Sequence, residues 1–148
     1  MKKPLAYFAL AALASGCTTA GTTQASHSMT DDLSACLDQV NSKKDLLLVE
    51  ATVANNPLSN AIVNSLAGQS PAAEKLTAAL SNRQGRPVLV FGRNETNNAA
   101  LLRAALRPLP EATAGREVCL AASGAKADEL RTLAASRGFE LFPTRPGS

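Results

Sequence analysis

The chain has 148 residues, 45% of them apolar and 3% aromatic, with no tryptophan and a formal charge of +3. Two basic residues, Lys2 and Lys3, open an N-terminal leader; without them thirteen basic residues stand against twelve acidic ones, scattered along the chain, so the clustered basic face of a nucleic-acid binder is not expected. His27, the only histidine, lies ahead of the predicted domain, so neither a serine nucleophile with an imidazole base nor a histidine zinc site is expected within it.

Residues 1 to 16, MKKPLAYFALAALASG, have the layout of an export signal: basic start, apolar run from Leu5 to Ala14, then small residues. As a helix that run spans ~15 Å, about half the ~30 Å of a hydrocarbon core, too short for a permanent membrane span. The run ends in LASGC, Leu13 to Cys17, which resembles the lipobox of bacterial lipoproteins. Ala14 stands where that family usually has leucine, and Leu13 comes one place earlier. The resemblance implies thioether diacylglycerol on Cys17, cleavage before it, and acylation of the new amine by a chain such as palmitate. Thr18 rather than aspartate after the cysteine implies, by the family's sorting rule, the outer membrane. The alternative is an ordinary secretory signal, cleaved at an A-x-A-like site, that leaves Cys17 as a third, unlipidated cysteine. Residues 18 to 30 are small and polar without hydrophobic period and read as a flexible tether.

From residue 31 the composition fits one small domain. Thr30, Asp31 and Asp32 suggest a helix start, with Leu33, Cys36, Leu37 and Val40 on one face to about Asn41. Leu46 to Val49 reads as a buried strand. Asn56 and Pro57 predict a helix start, with Leu58, Ile62 and Leu66 repeating until Gly68. A further helix begins with Ser70 as cap and Pro71 in the first turn, with Ala73, Leu76, Ala79 and Leu80 facing inward. Then come a strand at Pro87 to Phe91, a helix from Asn97 to Arg107 stopped by Pro108, and a strand at Val118 to Ala122. Last are a helix from Lys126 to Arg137, closed by Gly138, and a strand at Phe139 to Phe142. Short buried runs alternating with amphipathic helices predict an α/β fold: a small three-layer domain with a mostly parallel sheet of about four strands flanked by helices. Phe91, Phe139 and Phe142, all in predicted strands, are expected in the core.

Export would deliver Cys36 and Cys119 to an oxidising compartment, and a disulfide between them is expected; the alternative is two small buried residues that never meet. No C-x-x-C pair suggests redox chemistry, and neither a dinucleotide nor a P-loop fingerprint occurs, so no cofactor or metal is expected.

In parallel α/β sheets ligands sit beyond the carboxyl ends of the strands. The candidate rim is Glu50 with Thr52, Asn55 and Asn56 after the first strand, Arg93, Asn94 and Glu95 with Gly92 after the second, and Ser123 with Gly124 after the third. The same residues have a plainer reading as caps, turns and solvated charges. Gly92 to Leu106 also resembles the strand-loop-helix of OmpA-like peptidoglycan-binding domains, which would give Glu95 and Arg103 the grip on the cell-wall peptide. Its spacing is shorter, and that family's Gly-Ser and Tyr-Asn elements are missing.

The expected function is that of a lipid-anchored envelope protein of the periplasm, a non-catalytic interaction or accessory protein for another envelope protein. The alternatives are a ligand-binding module for peptidoglycan peptide or a small solute, and a hydrolase using Glu50 or Glu95 as acid or base.

Overall fold

The structure, a computed structural model, describes residues 27–42, 45–52, 67–82, 85–113 and 115–147. The leader, Cys17, most of the tether and the helix expected over Pro57 to Leu66 fall outside these residues.

The first helix, α1 (Met29–Gln39), starts earlier than Thr30 suggested. Ser28, Thr30, Asp31 and Asp32 are all acceptable caps, and Ser28 wins because the third helical position, Asp31, reciprocates. The Asp31 N–H donates to Ser28 Oγ at 3.2 Å, while the Ser28 N–H and hydroxyl donate to Asp31 Oδ2 at 3.0 and 2.8 Å. The Ser28 hydroxyl, then the Ser28 backbone N–H, hold the Asp31 carboxyl below its ordinary value, with a smaller push from His27. Because the folded value is the lower one, this contribution is present above the ordinary aspartate range and is lost as pH falls through it.

Strands β1 (Leu47–Glu50), β2 (Val88–Phe91), β3 (Arg116–Leu120) and β4 (Phe139–Pro143) form one sheet in the order β1-β2-β3-β4. Every pair is parallel, with Leu47 opposite Val88, Val88 opposite Val118, and Arg116 opposite Phe139. A 3-10 turn, Ala67–Gln69, leads into α2 (Pro71–Ser81), which has the expected Ser70 cap. Helix α3 (Glu95–Leu106) follows β2, capped by Asn94 rather than beginning at Asn97, and α4 (Gly124–Ser136) follows β3, two residues ahead of the expected Lys126.

A sheet whose strands follow one another in sequence places right-handed crossovers on one face only. Accordingly α2, α3 and α4 share one face. Leu76 and Leu80 of α2, Leu102 and Leu106 of α3, and Leu130 of α4 pack with Val49, Val88, Val90, Val118 and Leu120. The opposite face carries Leu48, Leu89, Phe91, Cys119 and Phe142, against which α1 lays Leu33, Cys36 and Val40. Among the described residues the three layers are thus unequal: three helices, a fully parallel sheet, and one helix. Phe139 lies in the first core and Phe91 and Phe142 pack against the second.

One covalent bond secures α1. Cys36 and Cys119, both fully buried, form a disulfide with their Cα atoms 5.7 Å apart. At the far edge, Pro143 offers no N–H, and the carbonyls of Leu141 and Pro143 accept from Arg131 Nη1 at 3.1 Å and Gln39 Nε2 at 2.9 Å. These bonds occupy two carbonyls of the outer edge of β4 and so disfavour further strand pairing there.

Gly92, just past β2, is a close-approach glycine: a Cβ there would stand 2.6 Å from Asn98 Oδ1 and 3.2 Å from the Ala51 carbonyl oxygen. Gly124, at the start of α4, has open space at that position. Gly92→Ala is therefore expected to cost about 1–3 kcal/mol through overpacking, and Gly124→Ala to be neutral or stabilising by up to about 1 kcal/mol. Urea unfolding of the two variants compares them directly; a Gly92→Ala protein as stable as wild type would mean that Asn98 yields freely.

Candidate functional site

The carboxyl ends of the strands converge on a buried guanidinium that the sequence pattern did not single out. After β4 the chain runs on beside the continuation of β3: the Thr144 N–H donates to the Leu120 carbonyl at 3.0 Å and the Arg145 N–H to the Ala122 carbonyl at 3.2 Å. Arg145 is thereby held at the strand ends, where it is 8% exposed. Arg145 Nε donates to Asp32 Oδ1 at 3.2 Å, and Nη2 donates to Asp32 Oδ2 at 2.9 Å and to the Gly92 carbonyl at 2.7 Å. The Thr144 hydroxyl adds a bond of 2.5 Å to Asp32 Oδ1. Asp32, 2% exposed, is thereby paired on both oxygens.

Glu95 is the next charge outward. Its Oε1 lies 3.9 Å from Arg145 Nη1, and its Oε2 accepts the Ser123 N–H at 3.1 Å. Ser123 occupies the N-cap of α4, but its side chain makes no cap bond and the first turn of that helix has no acidic residue. The carboxylate of Glu95, borrowed from the preceding helix, thus meets the positive end of α4. Asn94 is spent on its own helix, accepting the Asn97 N–H at 3.1 Å. Asn97 Nδ2 bonds the Thr52 carbonyl at 3.0 Å, and Asn98, fully buried, donates to the carbonyls of Gly92 at 3.0 Å and Ala121 at 2.7 Å. These two asparagines tie α3 to the loops after β1, β2 and β3.

Of the rim residues expected from the sequence, the structure brings Glu95 and Ser123 together and gives Asn94 a capping role. Glu50 and Arg93 are exposed and their side chains make no hydrogen bond or ion pair among the described residues. Asn55 and Asn56 lie outside the described residues. Glu95 and Arg103, paired by the peptidoglycan-domain resemblance, face different partners: Glu95 turns to Ser123 and Arg145, whereas Arg103 Nη2 pairs with Glu129 at 3.5 Å. The Glu129 carboxyl is held below its ordinary value chiefly by Lys126, with Arg103 adding a smaller share.

The sequence reading placed Asp32 and Asn97 only at helix starts and did not single out Arg145 or Asn98, so none of the four was expected in this cluster. A signal existed for Asp32, which stands one turn before Cys36 on the inward stripe of α1, where a carboxylate requires a partner. Nothing local marked Arg145, since its partner is 113 residues away.

Chemically, the cluster is a lock more than a pocket: one guanidinium and two carboxylates whose hydrogen bonds join α1, the loops after β2 and β3, and the tail. Glu95→Ala is accordingly expected to cost about 1–2 kcal/mol, whereas Ser123→Ala stays within about 0.5 kcal/mol, as chemical denaturation of the pair would show. Equal costs would mean that the serine hydroxyl, not the glutamate, caps α4. No helix among the described residues is long and apolar enough to cross a membrane, and no group of three or more His, Cys, Asp or Glu among them is placed to hold a metal ion. No protein-family model, curated protein sequence or solved structure matches the chain.

Proposed function

We propose that the chain is a lipid-anchored protein of the bacterial envelope, attached to the outer membrane through acylated Cys17, whose α/β domain serves as a non-catalytic interaction or accessory protein for another envelope protein. One observation carries this reading. The chain has three cysteines, and the Cys36–Cys119 disulfide accounts for two, which leaves Cys17, the residue at the lipobox position, without a disulfide partner. A buried disulfide also suits an oxidising compartment outside the cytosol.

The intact mass of the protein extracted from membranes tests the anchor: it should correspond to a chain beginning at Cys17 and carrying a diacylglyceryl and an amide-linked acyl group. A mature chain with a free Cys17 thiol would refute it. For the partner, photo-crosslinkers placed over the exposed surface in living cells should trap one envelope protein from a contiguous set of positions, and a scatter of unrelated adducts would count against an accessory role.

A second reading, a module for cell-wall peptide or a small solute, is favoured by the exposed Glu50 and Arg93 at adjacent strand ends. Co-sedimentation with purified peptidoglycan, lost in Arg93→Ala, would support it, and no sedimentation of either protein would end the cell-wall version.

A further inference from the structure

We infer that the carboxyl end of the sheet, with Arg93, Asn94, Glu95 and Ser123, is the face the domain presents to the bilayer surface. The inference rests on the lipid anchor proposed above.

Helix α1 runs antiparallel to the strands. Near its start, Asp32 meets Thr144 and Arg145 beyond the carboxyl end of β4. Just past its other end, the Asn41 N–H and side-chain amide donate to Glu117 Oε1, near the beginning of β3, at 2.8 and 2.7 Å. Ser28, where the anchored segment enters the domain, therefore belongs to the carboxyl end of the sheet.

From Cys17 to Ser28 there are eleven residue steps. Even fully extended they reach at most about 36–40 Å. A domain of this size is roughly 35 Å across. The anchored segment could therefore carry the lipid to the other end only if stretched taut along the whole length of the domain, and the end where it enters is drawn toward the membrane.

A second observation points the same way. Met29, 47% exposed, is the one large apolar side chain left exposed among the described residues, and it occupies the first turn of α1 at this end. A methionine beside a lipid-bearing segment can seat itself among head groups and acyl-chain ends instead of water. The opposite end, with Gly85, Arg86, Glu111 and Gly115, is then turned into the periplasm, where a protein partner would approach.

The chain contains no tryptophan, so single-tryptophan variants report depth without background. The lipidated chain carrying Met29→Trp, Arg93→Trp or Glu111→Trp is placed in phosphatidylcholine vesicles whose acyl chains are brominated. Quenching at position 29 should exceed that at position 111 on the order of twofold or more, with position 93 between them. Because tryptophan itself favours interfaces, the wild-type domain on nanodiscs containing a gadolinium-chelating lipid provides the second measurement: amides at 93–96 and 123–126 should broaden before those at 85–86, 111–113 and 115. Equal quenching at 29 and 111, or uniform broadening, would overturn the inference. So would an unchanged bias in Cys17→Ser, since the anchor is the argued cause. Intact mass is read on the same samples, so an unlipidated Cys17 reports failure of the anchor itself, separately from failure of the orientation.

Discussion

Asp32→Ala is expected to lower the unfolding free energy by about 3–5 kcal/mol, because it strands a buried guanidinium without its carboxylate. Arg145 is 8% exposed, and of its bonds only the one to the Gly92 carbonyl and the longer contact to Glu95 would survive. Arg145→Ala should cost about as much, since Asp32 would keep only the Thr144 hydroxyl as a donor. The double replacement Asp32→Leu with Arg145→Met removes both charges and fills the site with apolar side chains, and is expected to recover most of the loss or to exceed wild type. Urea unfolding followed by circular dichroism measures all four proteins. A single-mutant cost below about 1 kcal/mol would place the pair in the class of solvated surface bridges and contradict its burial.

Loss of the disulfide is expected to be of similar size by a different route. Cys36 and Cys119 are 83 positions apart, and releasing a closed loop of that length restores denatured-state entropy worth about 4–5 kcal/mol in the chain-entropy model. For a domain of this size the double variant Cys36→Ala, Cys119→Ala should melt on the order of 15–20 °C lower than the oxidised protein. Scanning calorimetry gives the shift, and a change of only a few degrees would mean that α1 is held almost entirely by its polar contacts. Hydrogen exchange adds a spatial check. The amides of α1 should lose protection before those of the central strands, since among the described residues α1 is the one helix packed on its face, whereas the crossover helices support one another.

The alternation of strands and helices was legible because each buried strand is a short apolar run, as a sheet covered on both faces requires. Element starts were read less accurately, for a local reason. Ser28, Thr30, Asp31 and Asp32 all have cap chemistry, and only the reciprocal bond between Ser28 and Asp31 decides among them. Likewise Asn94 captures the start of α3 from Asn97 because its side chain reaches the Asn97 N–H. The unequal layering was not legible, since apolar residues on both faces of a strand do not say how many helices cover each. At the rim, sequence proximity to the strand ends found Glu95 and Ser123 but could not show that they bond to one another across 28 residues. The cysteine pair was found because the oxidising compartment expected from the leader limits what two cysteines in one domain can do. Asp32 with Arg145 had no such constraint to reveal it.

The sequential strand order has a consequence for how this chain is made. Each strand after the first pairs with the strand just before it in sequence, so a chain emerging from its N-terminus can add one crossover unit at a time. Helix α1 cannot settle on the same schedule. Its covalent attachment waits for Cys119, and its buried carboxylate waits for Arg145, two residues beyond the last described strand. A product ending at Thr144 would keep every described strand and the disulfide yet leave Asp32 buried without its cation. Such a fragment would open more readily at α1, the segment next to the proposed anchor, and be cleared by proteolysis sooner than a chain that includes Arg145. The first helix is thereby sealed only after the strands it covers have all been made.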